Sequence, residues 1–203
     1  MLIVGVTGRS GSGKSTVTRH YAALGHPTAD GDAIAREVQQ KGTPCLDELV
    51  QAFGAGILNA DGTLARKKLG EIAFASPEKT RRLMEITHPH IRAEINRREE
   101  EARKNGAKLF FIDGAALVGG PFGPHWDRLV LVVSEQRLSI SRIILRDGIS
   151  KTAAQHRLDA QQPLDVLKAA ADYIIENNGS EAVLLEEADA VLKKLLDEEA
   201  RQP

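Results

Sequence analysis

Scarce residue types set the first limits on this 203-residue chain. Cys45 is its one cysteine, which excludes an internal disulfide framework and leads us to expect a reducing compartment. Net charge is −1, so there is no global basic field to draw in nucleic acid or an anionic membrane, and neither partner is expected. No apolar run approaches the roughly 18 residues of a membrane span. Met1 leads straight into an apolar strand pattern without a charged region or cleavage site, so no secretory leader is expected. The six histidines (20, 26, 88, 90, 125 and 156) are scattered, and no Cys/Asp/Glu grouping completes a zinc site at familiar spacing. Repeats and low-complexity stretches are absent too. The expectation is a cytoplasmic protein, monomeric or a weak homo-oligomer.

The chain does carry Gly8-Arg9-Ser10-Gly11-Ser12-Gly13-Lys14-Ser15, a complete G-x-x-x-x-G-K-[ST] phosphate loop. It follows the apolar run Leu2 to Val6 and opens a helical pattern with Val17, Tyr21 and Leu24. Glycines let successive N–H groups turn inward toward phosphate oxygens, and the helix N-terminus adds its positive dipole end. Residues Gly8 to Thr16 are therefore expected to hold a nucleoside triphosphate. Lys14 would reach the β- and γ-phosphates and the Ser15 hydroxyl would bind the bridging Mg²⁺.

Four further apolar segments read as strands: His26 to Ala29, Leu109 to Ile112, Leu129 to Val133 and Asp172 to Ile175. Helical patterns lie between them, which gives an α/β fold with a five-stranded parallel sheet. We assign residues 1–32, 106–133 and 163–203 to the nucleotide-binding core. Residues 33–105 show helices only. One is capped by Thr43-Pro44 and stops at Gly54; another starts at Ser76-Pro77-Glu78, is interrupted by Pro89 and resumes to Gly106. This stretch is read as an inserted helical substrate domain. Residues 134–162 read as a helical lid, in which Ser134 caps a helix carrying Arg137, Arg142 and Arg146, and Ser150 starts a second through Arg157. A solvated charged face is the alternative for those arginines.

Three features bear on the chemistry. Asp30-Gly31-Asp32 closes the second strand, where an α/β sheet has its ligand crevice. Asp32 is the candidate base for an attacking hydroxyl, unless it only caps the next helix. Asp113 ends an hhhhD segment and either orients Mg²⁺ or is simply a polar strand end. No N-K-x-D segment supports guanine recognition. Asn177-Asn178-Gly179 instead follows the last strand, where it either wraps an adenine ring or forms an Asn-Gly turn capped by Ser180.

With these residues together, nearly the whole chain resembles the dephospho-CoA kinase family. The resemblance runs through Asp30 to Arg36 (similar to D-A-D-x-I-A-R), Phe53-Gly54-Ala55-Gly56-Ile57-Leu58, Asp61-Gly62-Thr63-Leu64 and Thr87-His88-Pro89. It continues in Arg157-Leu158-Asp159-Ala160-Gln161, Ala171 to Ile175 and Asn178-Gly179-Ser180. It implies a P-loop kinase-type, three-layer α/β/α architecture with the inserted helical domain and lid. The implied activity is ATP-dependent phosphorylation of the ribose 3′-hydroxyl of dephospho-CoA. Asp32, Lys14, Arg142 and Arg146 would be catalytic, while Asp32, His88 and Arg157 would face the acceptor and Ser15 and Asp113 the metal. His88 is alternatively part of a helix break at Pro89. Two departures stand out. The family's G-G-I-G-S-G-K-S is Gly8-Arg9-Ser10-Gly11-Ser12-Gly13-Lys14-Ser15 here, and the last residue of its D-x-P-L-L-F-E is Gly119. The run from Gly119 to Pro124 should make a looser loop. A nucleoside-kinase-like enzyme and a nucleotide-binding protein with reduced transferase activity are the rival readings.

Overall fold

A computed structural model of the chain describes residues 1–115, 117–119 and 125–201. The loose loop expected over 119–124 therefore lies, past Gly119, outside the described residues.

β1 (Leu2–Thr7) is buried at every position, as a continuous apolar strand covered on both faces must be. It pairs in parallel with β3 (Leu109–Asp113) on one side and β4 (Arg128–Val133) on the other. β2 (Thr28–Asp30) adds to β3, and β5 (Tyr173–Glu176) adds to β4, giving the order β2-β3-β1-β4-β5. Neighbouring strands on the two sides of β1 are reached in opposite directions. The switch point, where open α/β sheets take their ligands, thus lies at the carboxyl end of β1. β2 starts at Thr28, not His26, because Pro27 has no N–H to give the ladder. The Pro27 carbonyl instead accepts from the Phe111 amide at 3.0 Å.

Alternation along the strands builds two apolar layers. On one face Leu2, Val4, Val6, Phe111 and Val130 pack with Val17 and Tyr21 of α1 (Lys14–Ala23) and Leu184, Val191 and Leu195 of α9 (Glu181–Glu199). Burying a side chain of this kind is worth about 1.5–3 kcal/mol. Tyr21 stacks on Phe111 with ring centroids 4.5 Å apart and donates its hydroxyl proton to the Ala188 carbonyl at 2.9 Å. The other face buries Ile3, Phe110, Ile112, Leu129 and Leu131, with α8 (Leu164–Ala170) against β4. The fold is the expected three-layer α/β/α arrangement.

The chain divides into two compact units, Met1–Asp30 with Glu99–Pro203, and Gly31–Arg98. The second unit is helical: α2 (Gly31–Glu37), α3 (Pro44–Phe53), α4 (Arg66–Ala73) and α5 (Pro77–Lys104) through Arg98. Thr43 caps α3 through a 3.3 Å bond from the Leu46 amide, and Cys45, Leu49, Ile57, Leu69, Ala73 and Ile86 form the core. Burial and the neighbouring Glu48 push the Cys45 thiol up to about 11, so it stays an inert apolar filler. The expected break at Pro89 does not occur, since α5 runs through it for 28 residues. Proline φ is compatible with a helix. The helix is held on both sides of the lost bond by buried Ile86, Thr87 and Ile95, and Thr87 Oγ1 donates to the Leu83 carbonyl at 2.9 Å. Further along, Glu94 sits at about 2, held down by Arg97 first and also by Arg98.

Within the first unit, α6 (Gln136–Asp147) and α7 (Lys151–Asp159) form a hairpin around Ile140, Ile143, Ala154 and Leu158, turning at Gly148 in the left-handed region. Ser150 caps α7, accepting from the Ala153 amide at 3.2 Å. Ser134, in contrast to the sequence expectation, does not cap α6. Glu135 stands at the cap, while Ser134 Oγ and Ser139 Oγ share a 2.6 Å bond.

Candidate active site

The loop Gly8 to Thr16 leaves β1 at the switch point, and α1 begins at Lys14. The amides of Lys14 and Ser15 are thus among the first N–H groups of the helix, with no intrahelical carbonyl behind them. The Lys14 ammonium is ion-paired with Asp113 Oδ1. Asp113 Oδ2 accepts a 2.7 Å bond from Thr18 Oγ1, one helical turn past Lys14, and Asp113 itself is buried at the end of β3. Asp30, the last residue of β2, stands in register beside Asp113. The carboxyl edge of the sheet therefore presents a phosphate loop, an ammonium and two carboxylates. Sequence reasoning missed Thr18; its i+4 spacing from Lys14 was the available signal.

Arg142, on α6, donates to the Gly11 carbonyl at 3.2 Å and to both oxygens of Asn177 at 3.1 Å. Asn177 is buried and donates from Nδ2 to the Ser12 carbonyl at 2.8 Å. Its carboxamide thus braces the loop and holds Arg142, a role the sequence did not suggest. Asn178 Oδ1 accepts from the Glu135 amide at 2.8 Å, and Ser180 caps α9 by accepting from the Val183 amide.

The remaining candidates are placed as follows. Arg146 makes a two-pronged pair with Asp147, at 2.7 and 2.9 Å, and Arg157 shares the same carboxylate. Arg146 first, then Arg157, holds the Asp147 carboxyl down to about 2, so this cluster stays ionised across the neutral range. It lies at the α6–α7 end of the hairpin, whereas Arg142 lies at the loop. Asp32 is exposed in the first turn of α2, and His88 is half-buried on α5. Among the described residues no group of three or more His, Cys, Asp or Glu could hold a metal ion. Nor is any helix there long and apolar enough to cross a membrane.

Gly119, where the resembled family carries glutamate, has φ 78°, a left-handed backbone that favours glycine. A Cβ there would come within 2.7 Å of Gln162 Nε2, which donates to the Val118 carbonyl. Gly119→Glu is accordingly expected to cost about 1–2 kcal/mol of stability, read as a lower thermal midpoint, with no gain in turnover.

The profile of the dephospho-CoA kinase family matches residues 2–182. A Corynebacterium efficiens protein named dephospho-CoA kinase is 40% identical over 196 residues, covering 97% of this chain and 98% of that one. The crystal structure of TT1252 from Thermus thermophilus superposes with a TM-score of 0.80 at 28% identity, covering 97% of both chains. The dephospho-CoA kinase from Campylobacter jejuni gives a TM-score of 0.62 at 29% identity over 95% of this chain and 96% of that one.

Proposed function

The chain belongs to the dephospho-CoA kinase family and phosphorylates dephospho-CoA with ATP to give CoA, and we propose that Lys14, Asp32 and Arg142 carry the chemistry. The observation that carries this reading is the edge of the sheet at β1. There the loop, Lys14 and Asp113 meet, and Arg142 is bound to the loop's own backbone.

Phosphoryl transfer asks mainly for alignment and for positive charge around the moving group. The loop amides and Lys14 bind the donor phosphates. Arg142, at the loop, faces charge that grows on the transferring group, and Arg146 joins it on leaving Asp147. Asp32 takes the proton of the attacking 3′-hydroxyl. Asn178 and Gly179 line the base side of the nucleotide. His88 and Arg157 shape the acceptor side, and residues 33–105 form the acceptor domain.

Ser15 and Asp113 suit a Mg²⁺ ion. Both offer hard oxygen donors, and Mg²⁺ needs only one or two protein ligands alongside substrate phosphates. Asp113 already faces a cation, the Lys14 ammonium. When bound, the ion would neutralise negative charge on the donor phosphates. Ser15→Ala should raise the Mg²⁺ concentration needed for half-maximal rate several-fold, measured by ADP release under Mg²⁺ titration. An unchanged Mg²⁺ requirement would remove Ser15 from the metal site. The cytoplasm, and a monomer or weak homo-oligomer, are the proposed setting.

A further inference from the structure

Four successive residues of the phosphate loop are each fastened by a partner more than a hundred positions away. Arg9 Nη2 donates to the Leu158 carbonyl, and the Ser10 amide donates to Gln161 Oε1 at 2.9 Å. Gly11 accepts from Arg142, and Ser12 accepts from Asn177. The loop also lies against α6. A Cβ added at Gly11, which has φ 78°, would sit 2.5 Å from the Ser139 carbonyl.

The first two of these bonds have no place in the phosphate site described above. The Arg9 guanidinium reaches one of the last carbonyls of α7, the negative end of that helix dipole. Gln161 lies just past the same helix and satisfies the Ser10 amide. Beside the Arg9–Leu158 contact is a cavity of about 70 Å³, lined also by Ser12, Val132, Val133, Ser139 and Leu164. Packing beside the Arg9 contact is therefore incomplete, and the two polar bonds fix the end of α7 to the loop.

We infer that Arg9 and Gln161 are positioning residues for ATP. They pin the end of α7 to the outer arm of the phosphate loop, so the loop's anion-holding turn and the arginine-bearing hairpin are set as one piece. This rests on the loop's assignment as the ATP site. A loop released from these bonds populates other turns, and apparent nucleotide affinity falls by the fraction of molecules in the competent one. Arg157, on the same helix, turns to Asp147 and makes neither of these bonds.

The test uses the full chain with Arg9→Ala, Gln161→Leu and the double variant, alongside Gln161→Glu, which keeps a carbonyl-type acceptor for the Ser10 amide. A fluorescent ATP analogue with Mg²⁺ reports nucleotide Kd, and steady-state assays give kcat and both KM values. Each single loss should raise nucleotide Kd about threefold to tenfold, the worth of one hydrogen bond. The double variant should be weaker than either single, Gln161→Glu should retain most of the affinity, and KM for dephospho-CoA, which reaches α7 only through Arg157, should move less than nucleotide Kd. A double variant whose nucleotide Kd stays within about twofold of the parent overturns the proposal, as does a parallel rise in both KM values. Should the double variant fail to fold, the contrast between Gln161→Leu and Gln161→Glu decides, with equal Kd values counting against it. If the parent chain binds ATP but transfers nothing to dephospho-CoA, the acceptor assignment fails, while the nucleotide titration still tests Arg9 and Gln161.

Discussion

Lys14→Ala is expected to lower kcat by about 10²- to 10³-fold or more, the range seen when one preorganised charge-stabilising donor is removed. Lys14 starts α1 at the carboxyl edge of the sheet and is the cation of the loop motif. It is also the partner of Asp113, which is buried and has Thr18 Oγ1 on its other oxygen. Two effects are therefore superimposed. Rate falls because the transferring group loses a positive charge. Stability falls by about 1–3 kcal/mol because a buried carboxylate loses its cation. Lys14→Arg separates them: the charge stays, so most of the thermal midpoint should return. The rate should not, since a guanidinium fork does not reproduce the position of an ammonium. A fully active Lys14→Ala variant would remove the loop from the mechanism.

Asp32→Asn is expected to reduce kcat by about 10²-fold or more, within the range for a lost general base. The substitution keeps size and polarity, and Asp32 is exposed in the first turn of α2, so the thermal midpoint should change little. KM for ATP should also be nearly unchanged, because the proton to be removed belongs to the acceptor. A pre-steady-state measurement with saturating ATP isolates the transfer step. Unchanged turnover in this variant would take Asp32 out of the reaction and leave it as a helix-terminal residue.

The sequence was most informative where structure is local. Continuous apolar runs located β1, β3 and β4, and the caps at Thr43, Ser150 and Ser180 follow from residue type and position alone. Pro89 misled because the intrinsic penalty of proline in a helix was overridden by burial on either side of it. Ser134 misled because it found a side-chain partner, Ser139, which took its oxygen away from the cap. The supports of the loop were illegible for a different reason. Leu158, Gln161 and Asn177 meet Arg9, Ser10 and Ser12 across 149, 151 and 165 positions of chain. Residue type suggested a ligand role for Asn177. The fold shows that its carboxamide is engaged with Ser12 and Arg142.

The most direct test of the account is product analysis with the purified chain, ATP, Mg²⁺ and dephospho-CoA, quantifying CoA and ADP together. The account predicts equimolar CoA and ADP, with ADP release falling to a small background when dephospho-CoA is omitted. ADP released at the same rate with and without dephospho-CoA, and no CoA formed, would contradict it.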